Sequence, residues 1–463
     1  SYINYCYSLG IIAGRGNGKF DPGATVTGNE AAKMLLVAAG YDADIEGLTG
    51  PDWGIRTAAL ASTLGIFDNL TVPTNDPLNR DNAALLIYNA LDIEMIQSYQ
   101  NGYAIAYSDS RTILSAKYGV YRIEGVVVGN EWAALDGASY ETAMAAGKTR
   151  MDEVRLVDSD TVNTIGNTDD GEYRGLQTLN VATPVEYLGK TVTMYIRNTT
   201  VLANAEVLGV YLKDGVNNVV TVNANTEKNT DALKGTGLSV SDDTQYYVNY
   251  GYQASQAAAL TELGIPTINN LAKYVNVNGV EMEIIDNDDD GIVDYVLYTK
   301  EDLTVVSNTS SSKETTTLRG FNENKAIDNE DIVTDMDLAV EDVVLAITYG
   351  GRYYVTEPQV VTGKMDAYSS SKLDNQYIEV NSTEYRPSYI GQLTRYETSA
   401  NGVGDILDFD VTLCEKPTGV QFDNTYEFFL DSNGYVRAFR PTDESAPQYA
   451  LVLNSGYNPG VYS

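Results

Sequence analysis

The chain has 463 residues, with 64 acidic side chains against 30 basic ones and a formal net charge of -34. A summed field of that sign repels nucleic acid and anionic lipid, so DNA-binding and membrane-surface roles are set aside. Histidine is absent and cysteine occurs only as Cys6 and Cys414, which removes the commonest general base, the usual zinc ligand and any disulfide framework. Both cysteines read as small buried apolar residues. No apolar run is long enough to cross a bilayer as a helix, so a helical membrane anchor is not expected within these residues. The acidity itself has two compatible readings, solubility at a crowded surface and binding of divalent cations between carboxylates.

The first 92 residues repeat one helix-loop-helix unit. In the first copy a short helix from Tyr2 to Leu9 leads through Gly10 and Gly18-Lys19-Phe20-Asp21-Pro22 to Thr27-Gly28-Asn29-Glu30 and a second helix ending near Ala39. The second copy has Trp53 on its first helix, Leu64-Gly65-Ile66 at the turn, Pro77, then Asn79-Arg80-Asp81-Asn82 and a helix to Leu91. Thr27 and Glu30 have the spacing of a capping box, which satisfies the free amides of a helix start. Ala32, Leu35, Leu36 and Ala39 recur at helical spacing, as do Ala83, Leu86, Ile87, Ala90 and Leu91, so the two faces are expected to pack together. Gly10, Gly40 and Gly65 stand where helices must stop in a left-handed conformation.

This order of elements resembles the S-layer homology repeat of bacterial surface proteins. The resemblance implies a helical module, a place at the cell wall and secondary cell-wall polysaccharide as a partner. The family's short motif T-R-A-E has an arginine associated with ligand binding. Here the first copy reads Thr27-Gly28-Asn29-Glu30 and only Arg80 in the second keeps the cation, so Trp53 and Arg80 are the expected wall-polymer residues. The first copy starts inside the repeat and no third copy follows residue 92, so a lead-in before Ser1 is expected.

Beyond Leu91 the period changes from helical to alternating. Ile123 to Val128, Thr191 to Ile196, Val207 to Leu212 and Val219 to Val222 are rich in Val, Ile, Thr and Tyr and read as strands. A helix is expected from Gln253 to Leu263, stopped by Gly264-Ile265-Pro266, before strands resume from Tyr274 to Tyr298. Ser307 to Thr317 is polar without periodicity and reads as a linker. Two hairpins follow, Val343 to Thr348 returning through Tyr349-Gly350-Gly351-Arg352, and Tyr426 to Leu430 returning through Asp431-Ser432-Asn433-Gly434. A last strand is expected at Tyr449 to Leu453. The implied fold is multidomain, an α-helical module at 1–95 followed by two β-sandwich or barrel-like domains at 96–306 and 318–463, with 307–317 between them.

The sharpest chemical motif is Asp286-Asn287-Asp288-Asp289-Asp290-Gly291-Ile292-Val293-Asp294. Asp at places 1, 3, 5 and 9 with Gly at 6 matches the start of a calcium loop, in which alternating carboxylates wrap a hard cation and the glycine permits the turn. Asp286, Asp288, Asp290 and Asp294 are the expected ligands, with Ile292 offering its carbonyl. The twelfth place is Leu297 and the flanks alternate like strands, so a calcium-loop hairpin is expected in place of an EF-hand. Affinity in the range of extracellular modules, about 10⁻⁴ to 10⁻³ M, follows from that chemistry. Asp169-Asp170-Gly171 and Asp431-Ser432-Asn433-Gly434 read as plain acidic turns.

Tyrosine outnumbers phenylalanine by 35 to 8, which suits half-buried sheet faces and protein interfaces alike. Glu281 with Glu283 and Asp408 with Asp410 share strand faces and do not by themselves make a hydrolytic pair. No G-x-S-x-G or phosphate loop occurs, and no catalytic residues are assigned. The sequence thus points to a non-enzymatic extracellular protein of the bacterial surface that packs against copies of itself with calcium support. The rival reading is a monomeric wall-anchored adhesin or glycan binder.

Overall fold

The structure, a computed structural model, describes residues 2–14, 20–135, 143–157, 168–169, 172–197, 201–223, 231–264, 274, 277–319, 321–369, 377–388, 407–408 and 425–442. Cys414 and the strand expected at Tyr449 to Leu453 lie outside them, while Cys6 is a partly buried free thiol. The chain divides into two compact units, Ser1–Glu131 with Met144–Gly215 and Trp132–Ala143 with Val216–Ser463. The stretch 307–317, expected as a linker, lies inside the second unit, and residue 95, expected as a boundary, lies inside the first. The helices share a unit with the first sheet, and the change of unit falls at Gly215 and Val216.

The first unit opens with α1 (Tyr2–Ser8), α2 (Gly28–Ala38), α3 (Trp53–Thr63) and α4 (Arg80–Ala90). The capping box forms: the Thr27 amide donates to Glu30 Oε2 at 2.9 Å and the Glu30 amide to Thr27 Oγ1 at 3.3 Å. Ala32, Leu36 and Ala39 pack with Ala61, Leu86 and Ala90 in one core, joined by Leu48 and Ile66. Ile87, expected on that face, is 54% exposed because it turns aside with Tyr88. A two-stranded ribbon of β1 (Ile96–Gln100) and β2 (Tyr103–Ala106) and a short α5 (Ile113–Tyr118) complete the helical part. Then come β3 (Tyr121–Gly129), β4 (Thr149–Leu156), β5 (Thr168–Asp169), β6 (Glu172–Tyr173), β7 (Gln177–Leu179), β8 (Thr191–Arg197) and β9 (Glu206–Leu212). They form one sheet in the order β5-β6-β4-β3-β8-β9, with β7 also on β4.

The second unit has β10 (Asn218–Val222), β11 (Ser239–Val248), β12 (Gly251–Gln253), α6 (Gln256–Glu262), β13 (Val280–Asp286) and β14 (Ile292–Lys300). The expected helix is present, with Ser255 capping it through the Ala258 amide at 3.2 Å. A sheet of order β10-β13-β14-β11-β12 buries Met282, Ile284, Val293 and Val296 against Ala259 and Leu263 beside it. Next are β15 (Asp302–Ser310), β16 (Thr315–Leu318), β17 (Ile327–Asp328), β18 (Ile332–Val333), β19 (Val343–Tyr349) and β20 (Arg352–Thr356). The expected linker is thus the hairpin of β15 and β16. Its polar composition arises because Ser307 to Thr309 project to solvent, and Thr, a good strand former, fills β16. The last sheet has β21 (Gln359–Ser369), β22 (Tyr377–Val380), β23 (Thr383–Tyr385), β24 (Leu407–Asp408), β25 (Thr425–Leu430) and β26 (Val436–Pro441).

Strand alternation makes these last two sheets a sandwich. Leu303, Val305, Val343 and Leu345 pack on Phe429 and Ala438. Their sequence neighbours Val306, Val344 and Ala346 bury on the opposite face with Leu318, Phe321 and Val355, while Phe428 and Phe439 fill the far side of the other sheet with Tyr426. The β19–β20 turn is Gly350-Gly351, both at positive φ (61° and 77°), as a two-residue hairpin loop requires. A Cβ on Gly350 would stand 1.8 Å from the Trp132 carbonyl oxygen.

One arrangement occurs twice. The path β4-β3-β8-β9 matches β16-β15-β19-β20, antiparallel throughout. Gly125 pairs with Val192 and Val126 with Thr191; Thr304 pairs with Val344 and Val305 with Val343. The Val127 amide donates to the Lys190 carbonyl and receives the Gly189 amide on its own carbonyl, at 3.0 and 2.8 Å. Val306 does the same with Asp342 and Glu341, at 2.9 and 2.8 Å. Register shifts fall at corresponding places, between Val127 and Gly129 and between Val306 and Asn308. The antiparallel triplets β10-β13-β14 and β21-β25-β26 continue the correspondence. The strand order and register of the β region therefore recur in tandem, each time a four-strand antiparallel path followed along the chain by an antiparallel triplet.

Gly189 and Glu341 hold the same place at φ 77° and 80°. A left-handed conformation costs a residue with a Cβ about 1 kcal/mol, so Glu341→Gly is expected to stabilise the chain by about that amount in urea denaturation. An unchanged or lowered midpoint would refute the assigned strain.

Candidate metal centre and wall-binding module

The acidic motif forms the turn between β13 and β14. Asp286 is fully buried, and its carboxylate accepts the amides of Asp289 at 2.8 Å, Gly291 at 3.1 Å and Asp288 at 3.3 Å. Asp294, on the first turn of β14, accepts the Asn287 amide at 2.8 Å. Gly291 takes φ 83° to close the turn. One carboxylate oxygen from each of Asp286, Asp288 and Asp294 lies within 4.8 Å of the others. Asp290, expected as a fourth ligand, does not join this group; its carboxylate accepts the Ile292 amide at 2.7 Å. Ile292 opens β14 beside Ser239 of β11.

Burial raises the Asp294 carboxyl to about 6, the Asn287 amide opposes this, and the charges of Asp288, Asp286 and Asp290 add to the rise. Burial likewise raises Asp288. Three carboxylates at this spacing suit a hard, oxygen-seeking divalent cation.

The tandem repeat supplies a test of fit. The β25–β26 turn carries Asp431, 2% exposed, whose Oδ1 accepts the amides of Asn433 and Tyr435, and Gly434 at φ 82°. Three residues beyond Gly434 stands Arg437, where three residues beyond Gly291 stands Asp294. Arg437 is 3% exposed and its Nη1 lies 3.6 Å from Asp431 Oδ2. This hairpin brings its own cation to the buried acid, whereas the first brings a further carboxylate. The residues of the first turn thus fit a bound cation, and Asp286, Asp288 and Asp294 would hold it. The signal was present in the sequence as the shared glycine-plus-three spacing, but it becomes readable only once the two hairpins are known to correspond.

In the helical part Arg80 is the exposed first residue of α4 and forms no ion pair among the described residues. Trp53 begins α3, with Lys33 Nζ 5.7 Å from its ring centroid. The arginine place of the first copy is closed: a Cβ on Gly28 would stand 2.9 Å from the Thr74 carbonyl oxygen, which already receives the Asn29 amide at 2.8 Å. Asn29 also donates to Asn75 Oδ1 at 2.8 Å. Chain from the second copy thus occupies the approach, and only glycine fits there.

Comparison with known proteins agrees with this geometry. Residues 1–32 match the S-layer homology domain family. The chain's N-terminal segment is similar to the S-layer homology domain. The chain is 28% identical over 288 residues to a cell surface protein of Thermoanaerobacter kivui, a match covering 60% of this chain and 31% of that one. It is 27% identical over 175 residues to a middle cell wall protein of Brevibacillus brevis, covering 36% of this chain and 16% of the other. The matched regions span less than a third of those relatives. No solved structure matches. The chain is a protein of the bacterial cell surface, and no described helix is long and apolar enough to cross a membrane.

Two outcomes are expected. Millimolar calcium should raise the melting temperature, with the rise abolished by Asp288→Ala or Asp294→Asn and only reduced by Asp290→Ala; equal melting of all variants with calcium and with chelator would remove the ion. In chelator, the native chain holds a proton on Asp294 between the ordinary carboxylate range and about pH 6, so stability should increase as pH falls from 7 through 6. Asp294→Asn should flatten that slope in pH-dependent denaturation; a wild-type slope would remove Asp294 as its source.

Proposed function

We propose that the protein is a non-enzymatic structural component of the bacterial surface that associates with copies of itself into a layer, tube or filament, with calcium seated between Asp286, Asp288 and Asp294. The observation that carries the reading is the tandem recurrence of strand order and register, a form suited to extended scaffolds in which stability accrues unit by unit. The calcium part is supported by the contrast between Asp294 and Arg437 at matching places in two hairpins. Where a guanidinium is built in no ion is required, and where it is replaced by a carboxylate an external cation takes its place.

The closure of the arginine position at Gly28 favours use of the helical part as a subunit contact. A second reading, a wall-anchored binding protein, is favoured by Arg80, which stands exposed at a helix start with no ion-pair partner among the described residues. Its ligand would be an anionic wall polysaccharide.

Negative-stain electron microscopy with millimolar calcium and with chelator separates the readings. Ordered sheets, tubes or fibres that fade on chelation are expected. Dispersed particles in both conditions, together with retention on purified wall polysaccharide that Arg80→Ala abolishes, would replace self-assembly with anchoring.

A further inference from the structure

β9 is the last strand of its sheet, and among the described residues nothing pairs with its outer edge. It is seven residues long, whereas the other edge strands of the four larger sheets have between two and five. It contains no proline, and its one charge is Glu206 at the start. Leu208 is 45% exposed, Tyr211 60% and Leu212 40%. A long, apolar, uncovered edge is a template for another strand. The second module shows the alternative: there the matching strand β20 is covered by β18, running parallel to it. In the first module the chain between β4 and β8 sends β7 back to β4, and β9 is left bare.

We infer that β9 pairs antiparallel with β9 of a second copy of this chain, joining two sheets into one across a twofold axis. The inference rests on the self-assembly reading and names its contact. The stretch Glu206-Val207-Leu208-Gly209-Val210-Tyr211-Leu212-Lys213 is complementary to its own reverse. With Gly209 opposite Val210, Leu208 meets Tyr211, Val207 meets Leu212, and Glu206 at each end meets Lys213 of the other copy. Parallel pairing in register would set Glu206 on Glu206 and Lys213 on Lys213, which is repulsive. Within one copy Glu206 pairs with Arg197 at 3.1 Å and Lys213 with Glu124 at 2.8 Å, so the apolar pairs carry the seam and the charged ends set only its direction. Beside the edge lies a cleft of about 820 Å3 whose wall includes Tyr88, Tyr118 and Tyr211, each more than half exposed. It gives apolar, aromatic room to side chains of the added strand, the composition favoured at the centre of protein interfaces.

The test uses the full chain with Cys6→Ser and Cys414→Ser, carrying Leu208→Cys and Tyr211→Cys together. Opposed residues of an antiparallel pair have Cα atoms about 4.5 to 5.5 Å apart, within disulfide reach. Mild oxidation should give a covalent dimer with the double variant and none with Leu208→Cys alone. Independently, Leu208→Lys should abolish the dimer in sedimentation velocity while leaving circular dichroism and melting unchanged. Association without the cross-link and indifferent to Leu208→Lys would overturn the β9 seam and leave self-assembly standing. A chain that stays monomeric at every concentration would overturn both.

Discussion

Each β module depends on one hydrogen-bonded exchange, by which a valine on the central strand fixes the chain entering the next strand. Val127 is held by Lys190 and Gly189, and Val306 by Asp342 and Glu341. Because side chains alternate faces with a period of two, a slip of one residue there would turn Val343 and Leu345 away from Phe429 and Ala438 and drive polar neighbours into the core. The left-handed residue before the strand is part of the same lock, since the chain must reverse sharply to deliver both bonds. Glycine accepts that conformation in the first module. In the second a glutamate is forced into it, a sign that the register dominates local preference.

Charge is handled by the same repetition. A buried carboxylate that receives two or three turn amides is tolerable, but a second one beside it raises the cost of ionising both. The second hairpin answers with Arg437. The first places Asp294 there, and burial with the charges of Asp288, Asp286 and Asp290 raises that carboxyl to about 6. The proposed cation would offset those charges, and a chain of charge -34 would draw divalent ions from its surroundings.

Much of the architecture was legible because period and turn chemistry are local. The change from helical to alternating spacing near Leu91, the capping box of Thr27 and Glu30, the helix capped by Ser255 and the Gly350-Gly351 hairpin all follow from neighbours in sequence. The β15–β16 hairpin was not legible. Ser307 to Thr317 has no apolar face because one end of that hairpin is solvated on both sides, and a two-sided polar strand has the composition of a linker. The tandem repeat escaped for a different reason: Leu303 and Glu124, or Leu345 and Thr193, occupy matching places with unlike side chains, and only the hydrogen-bond register relates them. Of the expected site residues, the motif located Asp286, Asp288 and Asp294 correctly as neighbours. Asp290 lies outside that group, its carboxylate accepting the Ile292 amide, a detail that loop spacing does not reveal.

The unlike side chains at matching places also explain why one module covers its sheet edge and the other does not. In the second module Ile332, Met336 and Leu338 alternate with exposed Asp331, Asp335 and Asp337, so the segment lies down with its apolar side inward and its acids outward, bringing β18 onto β20. The corresponding stretch of the first module has Leu179 buried where β7 joins β4, which draws the chain to the opposite edge of the sheet. Once that choice is made no described strand pairs with the outer edge of β9, yet β9 keeps Leu208, Tyr211 and Leu212 exposed, without the lysine or proline at mid-strand that would discourage pairing. A monomer gains nothing from leaving such an edge uncovered, whereas a subunit that must meet its neighbour along a strand requires it. The asymmetry between two modules of one design is therefore better explained by a contact made at one of them than by divergence of a fold indifferent to its edges.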